Sequence, residues 1–158
     1  MANQSEVFII GTVAEVQTRT GSTTRDGVVS EYVSGKVVIK VVRDGIENLI
    51  ECNVFANKMT KSGVPSKTYP VILGLEGMTG KRVRVTGDFS EGTMVDQSSG
   101  EVRHFNRIDA RFINPAYTSD TEDKAEFDFT GFVTTGLTER TDREGNLLGY
   151  RCRKYMRG

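Results

Sequence analysis

KRVRVTGDFSEGTMVDQSSGEVRHFNRIDARFI, residues 81–113, reads as two strands joined by a turn-rich arm. In its first part Val83, Val85 and Phe89 share one parity, while Arg82, Arg84 and Asp88 share the other. This is the period-two pattern of a half-buried strand, with a polar face that is mainly basic. In its second part Ile108, Ala110 and Phe112 fall on one face, and Arg103, Phe105, Arg107 and Arg111 on the opposite one. A ring set between arginines on an exposed sheet face suits nucleic acid, because bases stack on the ring while guanidinium groups meet phosphates. A soluble antiparallel sheet with arginines on its solvated side has the same appearance. Gly80 marks the turn into the first of these strands, and DQSSG, Asp96 to Gly100, the hairpin tip.

Toward the N-terminus the pattern is again that of strands. VFIIGTVAEV (7–16) is expected to be one long strand bent at Gly11, since glycine inside a strand often marks a bulge or barrel corner. The polar stretch QTRTGSTTRDG (17–27), with Gly21 and Asp26-Gly27 as turn signals, returns the chain antiparallel. A second strand spans roughly Val28 to Val42. Its core parity is Val33, Val37, Ile39 and Val41, and its outer parity is Tyr32, Ser34, Lys36 and Lys40. After Arg43-Asp44-Gly45 comes a third strand, NLIECNVF (48–55), with Ile50, Cys52 and Val54 on one face and Leu49, Glu51, Asn53 and Phe55 on the other. Cys52 is then a small core residue. The long connection from Ala56 to Gly80 is rich in glycine and proline, and its apolar piece VILGLEGM (71–78) is either a short helix or an extended link. Five strands, a bent first strand and one long connection between the third and fourth predict an all-β, five-stranded OB-fold barrel. A sandwich would want about seven strands and does not explain that connection.

Beyond Asn114-Pro115 the chain restarts. FDFTGFV (127–133) lies under VFIIGTV (7–13) with the glycine and final valine coinciding at an offset of 120. Arg143-Glu144-Gly145 and Tyr150 answer Arg25-Asp26-Gly27 and Tyr32 at an offset of 118. The expected organisation is an OB-fold domain over 1–117, an acidic linker over 118–126 acting as a flexible spacer, and the first hairpin of a second OB-like repeat over 127–158. A hairpin alone builds no barrel core. It is therefore expected either to belong to a longer tandem chain or to pack on the first domain or on another subunit.

A chain of 158 residues is long enough for a proper hydrophobic core. Its two cysteines, Cys52 and Cys152, lie far apart with no CxxC and no histidine cluster, so neither a disulfide framework nor a zinc site is signalled. This favours a reducing, cytoplasmic setting. No basic leader with an apolar run opens the sequence, and no stretch approaches the roughly 18 apolar residues of a membrane span. Net charge is zero, with 21 basic and 21 acidic residues, yet it is segregated. Residues 57–89 carry six basic residues against two acidic, and residues 119–126 one against four. A neutral total thus hides a basic region compatible with a local electrostatic footprint.

Residues 7–113 resemble the bacterial and phage single-stranded DNA-binding proteins. The likeness rests on NVFANK (53–58), GKRVRVTGDF (80–89) and MVDQSSGEVR (94–103), in that order and spacing. The resemblance implies base stacking by residues of the third strand and of the arm between strands four and five. The matching positions are Leu49, Phe55 and Met94, of which Phe55 alone keeps a ring. Stacking contributes about 1–3 kcal/mol per base, so Tyr32 and Phe105 are the rings expected to compensate. Lys36, Lys40, Arg103, Arg107 and Arg111 are expected at phosphates, with Lys58 and Lys67 on the long loop. The implied partners are single-stranded DNA, further copies of the chain, and replication or recombination proteins of a phage or mobile element. The rival expectation is an OB-fold assembly module that binds protein, and an OB groove alone leaves RNA open.

Chemistry-bearing patterns are otherwise sparse. His104, the single histidine, shares parity with Val102 and Ile108 and is expected on the core side. There is no glycine-rich phosphate loop, no HExxH and no Ser-His-Asp set. The expectation is a non-enzymatic binding protein without cofactor or metal.

Overall fold

The structure, a computed structural model, describes residues 5–129, 132–133, 138–151 and 154–155. Cys152 lies outside them. Three long strands come first: β1 (Ser5–Arg25), β2 (Val28–Arg43) and β3 (Ile46–Asn57), paired antiparallel in sequence order. Both connecting turns are built alike. Asp26 and Gly27 have φ of 52° and 77°, and Asp44 and Gly45 have 52° and 75°, the paired left-handed conformation of two-residue hairpins that match strand twist. Gly21, expected as a turn signal, instead sits inside β1 opposite Tyr32. A Cβ there would come within 2.6 Å of the Tyr32 ring, so this glycine clears a side chain rather than turning the chain. The irregularity in β1 falls between Val13 and Glu15, at Ala14, and not at Gly11. Gly11 serves the barrel corner by close approach, since its Cβ would meet the Lys40 carbonyl oxygen at 2.5 Å.

β4 (Arg82–Val95) and β5 (Val102–Pro115) form the second antiparallel pair. β1 changes partner near Thr12, running beside β4 from Glu6 to Thr12 and beside β2 from Thr12 onward. β3 meets β5 in parallel at Asn53 and Asp109. The circuit β1-β2-β3-β5-β4-β1 closes a five-stranded mixed barrel, the OB-fold architecture. Its interior is filled by the inward parity of each strand: Val7, Ile9 and Val13; Val33, Val37, Ile39 and Val41; Cys52 and Val54; Val83 and Val85; Ile108 and Ile113. In the long connection, α1 (Thr68–Leu73) packs against β2 and β3 and is followed by a 3-10 turn at Leu75–Met78. Ile72 and Leu75 enter the core from these elements. The apolar 71–78 piece is therefore helical, and the helix begins upstream of it at Thr68.

Two expectations for β5 fail for one geometric reason each. Phe112, assigned to the core, is 58% exposed. The β4–β5 register steps from Thr86–Phe112 to Gly87–Ala110, leaving Arg111 as an extra residue that flips the parity beyond it and puts Ile113 inside. His104 is exposed, because β4 and β5 run past the barrel as an arm with no core beneath either face.

The acidic segment also departs from expectation. It is held on the barrel instead of forming a solvated spacer. Arg82 reaches Asp123 Oδ1 through Nη2 at 2.8 Å and donates through Nη1 to the Asp120 carbonyl. Asp123 Oδ2 accepts the Val42 amide at 3.1 Å. β6 (Lys124–Phe129) then adds a strand beside β1.

One compact unit spans Glu6–Phe127, and the other takes in Ser5 together with the described residues from Asp128 onward. In the latter, β7 (Phe132–Val133) pairs with β10 (Lys154–Tyr155), and β8 (Thr138–Thr141) with β9 (Leu147–Arg151). Glu139 pairs with Tyr150 as Gly21 pairs with Tyr32, and Thr138 with Arg151 as Thr20 with Val33, all displaced by 118 residues. Among the described residues no helix is long and apolar enough to cross a membrane.

Candidate nucleic-acid interface

Directly opposed residues of an antiparallel ladder project to the same side. The outward side of β2 and β3 is therefore set by the pairs Tyr32–Asn57, Ser34–Phe55, Lys36–Asn53 and Lys40–Leu49. Their neighbours Val33, Val37, Ile39, Cys52 and Val54 point inward and lock this assignment. On the outward side the rings of Tyr32 and Phe55 stack, with centroids 5.7 Å apart and planes inclined by 28°. Phe55 is 57% exposed, so the stack presents a ring to solvent. Beside it runs a groove of about 850 Å³, lined by Arg19 of β1, Lys36 of β2, Asn53 and Phe55 of β3, and Arg107 and Asp109 of β5. Gly35 keeps its floor flat. A Cβ there would stand 2.0 Å from the Gln17 carbonyl oxygen, so β1 and β2 can approach this closely only at a glycine.

The arm extends this face. The cross-strand pairs Ser90–Arg107, Gly92–Phe105 and Met94–Arg103 put Arg107, Phe105, Arg103 and Met94 on one side. Phe105 lies across Gly92, whose Cβ would come within 2.3 Å of the ring. Met94 is 60% exposed. At the tip, Asp96 Oδ1 accepts the Ser98 hydroxyl and the amides of Ser98 and Ser99, which hold its carboxyl below the ordinary aspartate range.

The structure thus gathers Tyr32, Lys36, Phe55 and Arg107 around the groove, and sets Met94, Arg103 and Phe105 along the arm. Lys40 and Leu49 share the outward side but stand four residues further along each strand from Lys36 and Asn53, roughly 13 Å away. Lys58 follows β3 and is paired with Glu31, whose hydrogen bond and charge raise the ammonium pKa. Lys67 sits at the start of α1. Arg111, the bulged residue, turns to Asp88 (3.1 Å) and Glu6 (3.6 Å) on the β1–β4 side. Sequence reasoning missed Arg19 and Gly35, and gave Gly21 a turn where it clears the Tyr32 ring. In the sequence Arg19 stands in a polar, turn-like run, and its membership of a strand follows only from its pairing with Ser34.

Most cations here carry a carboxylate partner. Lys36 Nζ lies 2.8 Å from Glu51, Arg107 Nε 2.9 Å from Asp109, and Arg103 Nη2 3.4 Å from Glu101. Arg19 makes no ion pair among the described residues. The basic face of β4 is not available. Arg84 lies between the rings of Phe8 (4.9 Å) and Tyr117 (4.6 Å), with Nε 3.2 Å from Asp120 Oδ2. Among the described residues no group of His, Cys, Asp and Glu side chains is arranged to hold a metal ion.

The YorF family model matches residues 4–151, nearly the whole chain. The chain belongs to the YorF family. No curated protein matches the sequence. Among solved structures, this YorF-family chain is similar to the wild-type single-stranded DNA binding protein from Thermus aquaticus, at 16% identity and a TM-score of 0.48, covering 92% of this chain and 65% of that one. A deletion mutant of the same protein gives 18% identity and a TM-score of 0.46, with 90% and 64% covered. The small single-stranded DNA-binding protein from Streptomyces coelicolor gives 18% and 0.39, with 75% and 99% covered. The YorF-family chain spans just under two thirds of the length of the Thermus aquaticus chains.

Proposed function

We propose that this chain is a non-enzymatic protein that binds single-stranded DNA with little sequence preference across the β2–β3–β5 face. The observation that carries this reading is the Tyr32–Phe55 stack, with one ring open beside a cation-lined groove. A π-face accepts any base, which gives affinity without a sequence code. A base would lie on Phe55, with Tyr32 backing that ring. Arg19 would take a backbone phosphate, with Lys36 and Arg107 flanking the path. Phe105 and Met94 would carry the strand along the arm, where the polarizable methionine thioether can lie against a base. The setting we infer is replication, recombination or repair of a phage or mobile element, where single strands are exposed.

The test is fluorescence anisotropy of labelled oligo-dT of increasing length at two salt concentrations, with matching duplex and oligo-U as competitors. Length-dependent binding that duplex fails to displace is expected. Phe55→Ala should weaken it roughly tenfold. Arg19→Ala should weaken it less and reduce the salt slope by about one. Absence of dT binding at low salt by folded protein would overturn the reading in favour of a protein-binding OB module.

A further inference from the structure

Resting on that reading, we propose that Glu51 and Asp109 are specificity-determining residues whose carboxylates hold the groove cations Lys36 and Arg107 away from ligands that offer only phosphates. Both cations line the groove beside Phe55. Both are occupied by carboxylates, at 2.8 Å for Lys36 and Glu51 and 2.9 Å for Arg107 and Asp109. A polyanion whose bases are hidden gains nothing from the exposed ring. It must displace these carboxylates, and it meets their charge as it does so. A single strand anchored by a base on Phe55 and a phosphate on Arg19 leaves both pairs closed. The carboxylates therefore subtract from phosphate-driven binding and spare stacking-driven binding. Each exposed pair is expected to cost a competing phosphate roughly two- to fivefold in affinity.

Glu51 is exposed and Asp109 half-buried, and neither belongs to the core, so Glu51→Gln/Asp109→Asn should fold. The double variant is compared with wild type and with Glu47→Gln/Glu122→Gln, which removes the same charge at positions that pair with neither Lys36 nor Arg107. The readouts are affinity for a labelled 20-base-pair duplex, affinity for oligo-dT, and the salt needed to elute from heparin. We expect the groove variant to gain about tenfold for duplex and to elute from heparin at higher salt than the control. Its dT affinity should rise by a clearly smaller factor than its duplex affinity. Equal behaviour of groove variant and control on duplex and heparin would overturn the inference, as would a gain for dT as large as that for duplex. Failure of wild type to bind dT would sink the function proposed above and leave the duplex and heparin arms to judge the carboxylates.

Discussion

Cys52 stands on the inward parity of β3 with no measurable exposure. Burial, reinforced by the neighbouring Glu51 carboxylate, pushes its thiol from 9.0 up to about 12. At neutral pH it is a protonated, inert core group. Peptide-resolved alkylation should therefore find Cys52 unmodified in the folded protein and rapidly modified in denaturant, and labelling under native conditions would contradict its placement. The linkage has a definite sign. From pH 9 upward the unfolded chain releases this proton while the folded chain keeps it, so stability is lost as pH climbs toward about 12. Period-two alternation was enough to place Cys52, Tyr32 and Phe55, because a strand residue's face is set by its neighbours in sequence. Gly21 and Gly35 were not legible in this way. What each glycine clears, the Tyr32 ring and the Gln17 carbonyl, comes from the adjacent strand.

The element whose nature changed most is the acidic segment. Its composition says only that it is charged and soluble, and the partners that give it structure, Arg82 and Arg84, lie about forty residues earlier. Folding brings β4 beside it. The Asp123 side chain is then 13% exposed and serves both the Arg82 guanidinium and the Val42 amide. Asp123→Asn keeps the shape but removes the charge opposite a half-exposed arginine. We expect a loss of about 1–2 kcal/mol, read as a lower urea midpoint, since hydrogen bonds to charged groups are worth more than neutral ones. An unchanged midpoint would mean that the segment adds nothing to the barrel's stability. The same docking takes Arg84 away from any nucleic acid. For that reason the basic face of residues 81–89, so prominent in the sequence, contributes nothing to the candidate interface. The arm beside it fails differently: alternation persists through Val102, His104 and Asn106, but no layer lies beneath to bury one parity.

At the scale of the whole barrel, closure is uneven. β2–β3 and β4–β5 are long antiparallel ladders, whereas β3 and β5 meet in parallel at the single pair Asn53–Asp109. Backbone amides around Asn53 and Asp109 should exchange with deuterium faster than those of Val37 and Val85, and ligand bound across the groove should slow them. Uniform protection around the barrel would contradict a weak seam there. The candidate groove lies on this seam, with Asn53 and Asp109 among its walls. Alternating hydrophobicity, turn residues and the single long connection sufficed for an all-β chain, five strands in OB order, and the outward placement of Tyr32, Lys36 and Phe55. These follow from local chemistry, since strand periodicity and turn conformations are settled within a few residues. Which strand passes behind a glycine and where the acidic segment lies depended on contacts between residues ten or more positions apart. Only closure of the barrel brings Arg19, Phe55 and Arg107 to one groove and docks the acidic segment against Arg82 and Arg84.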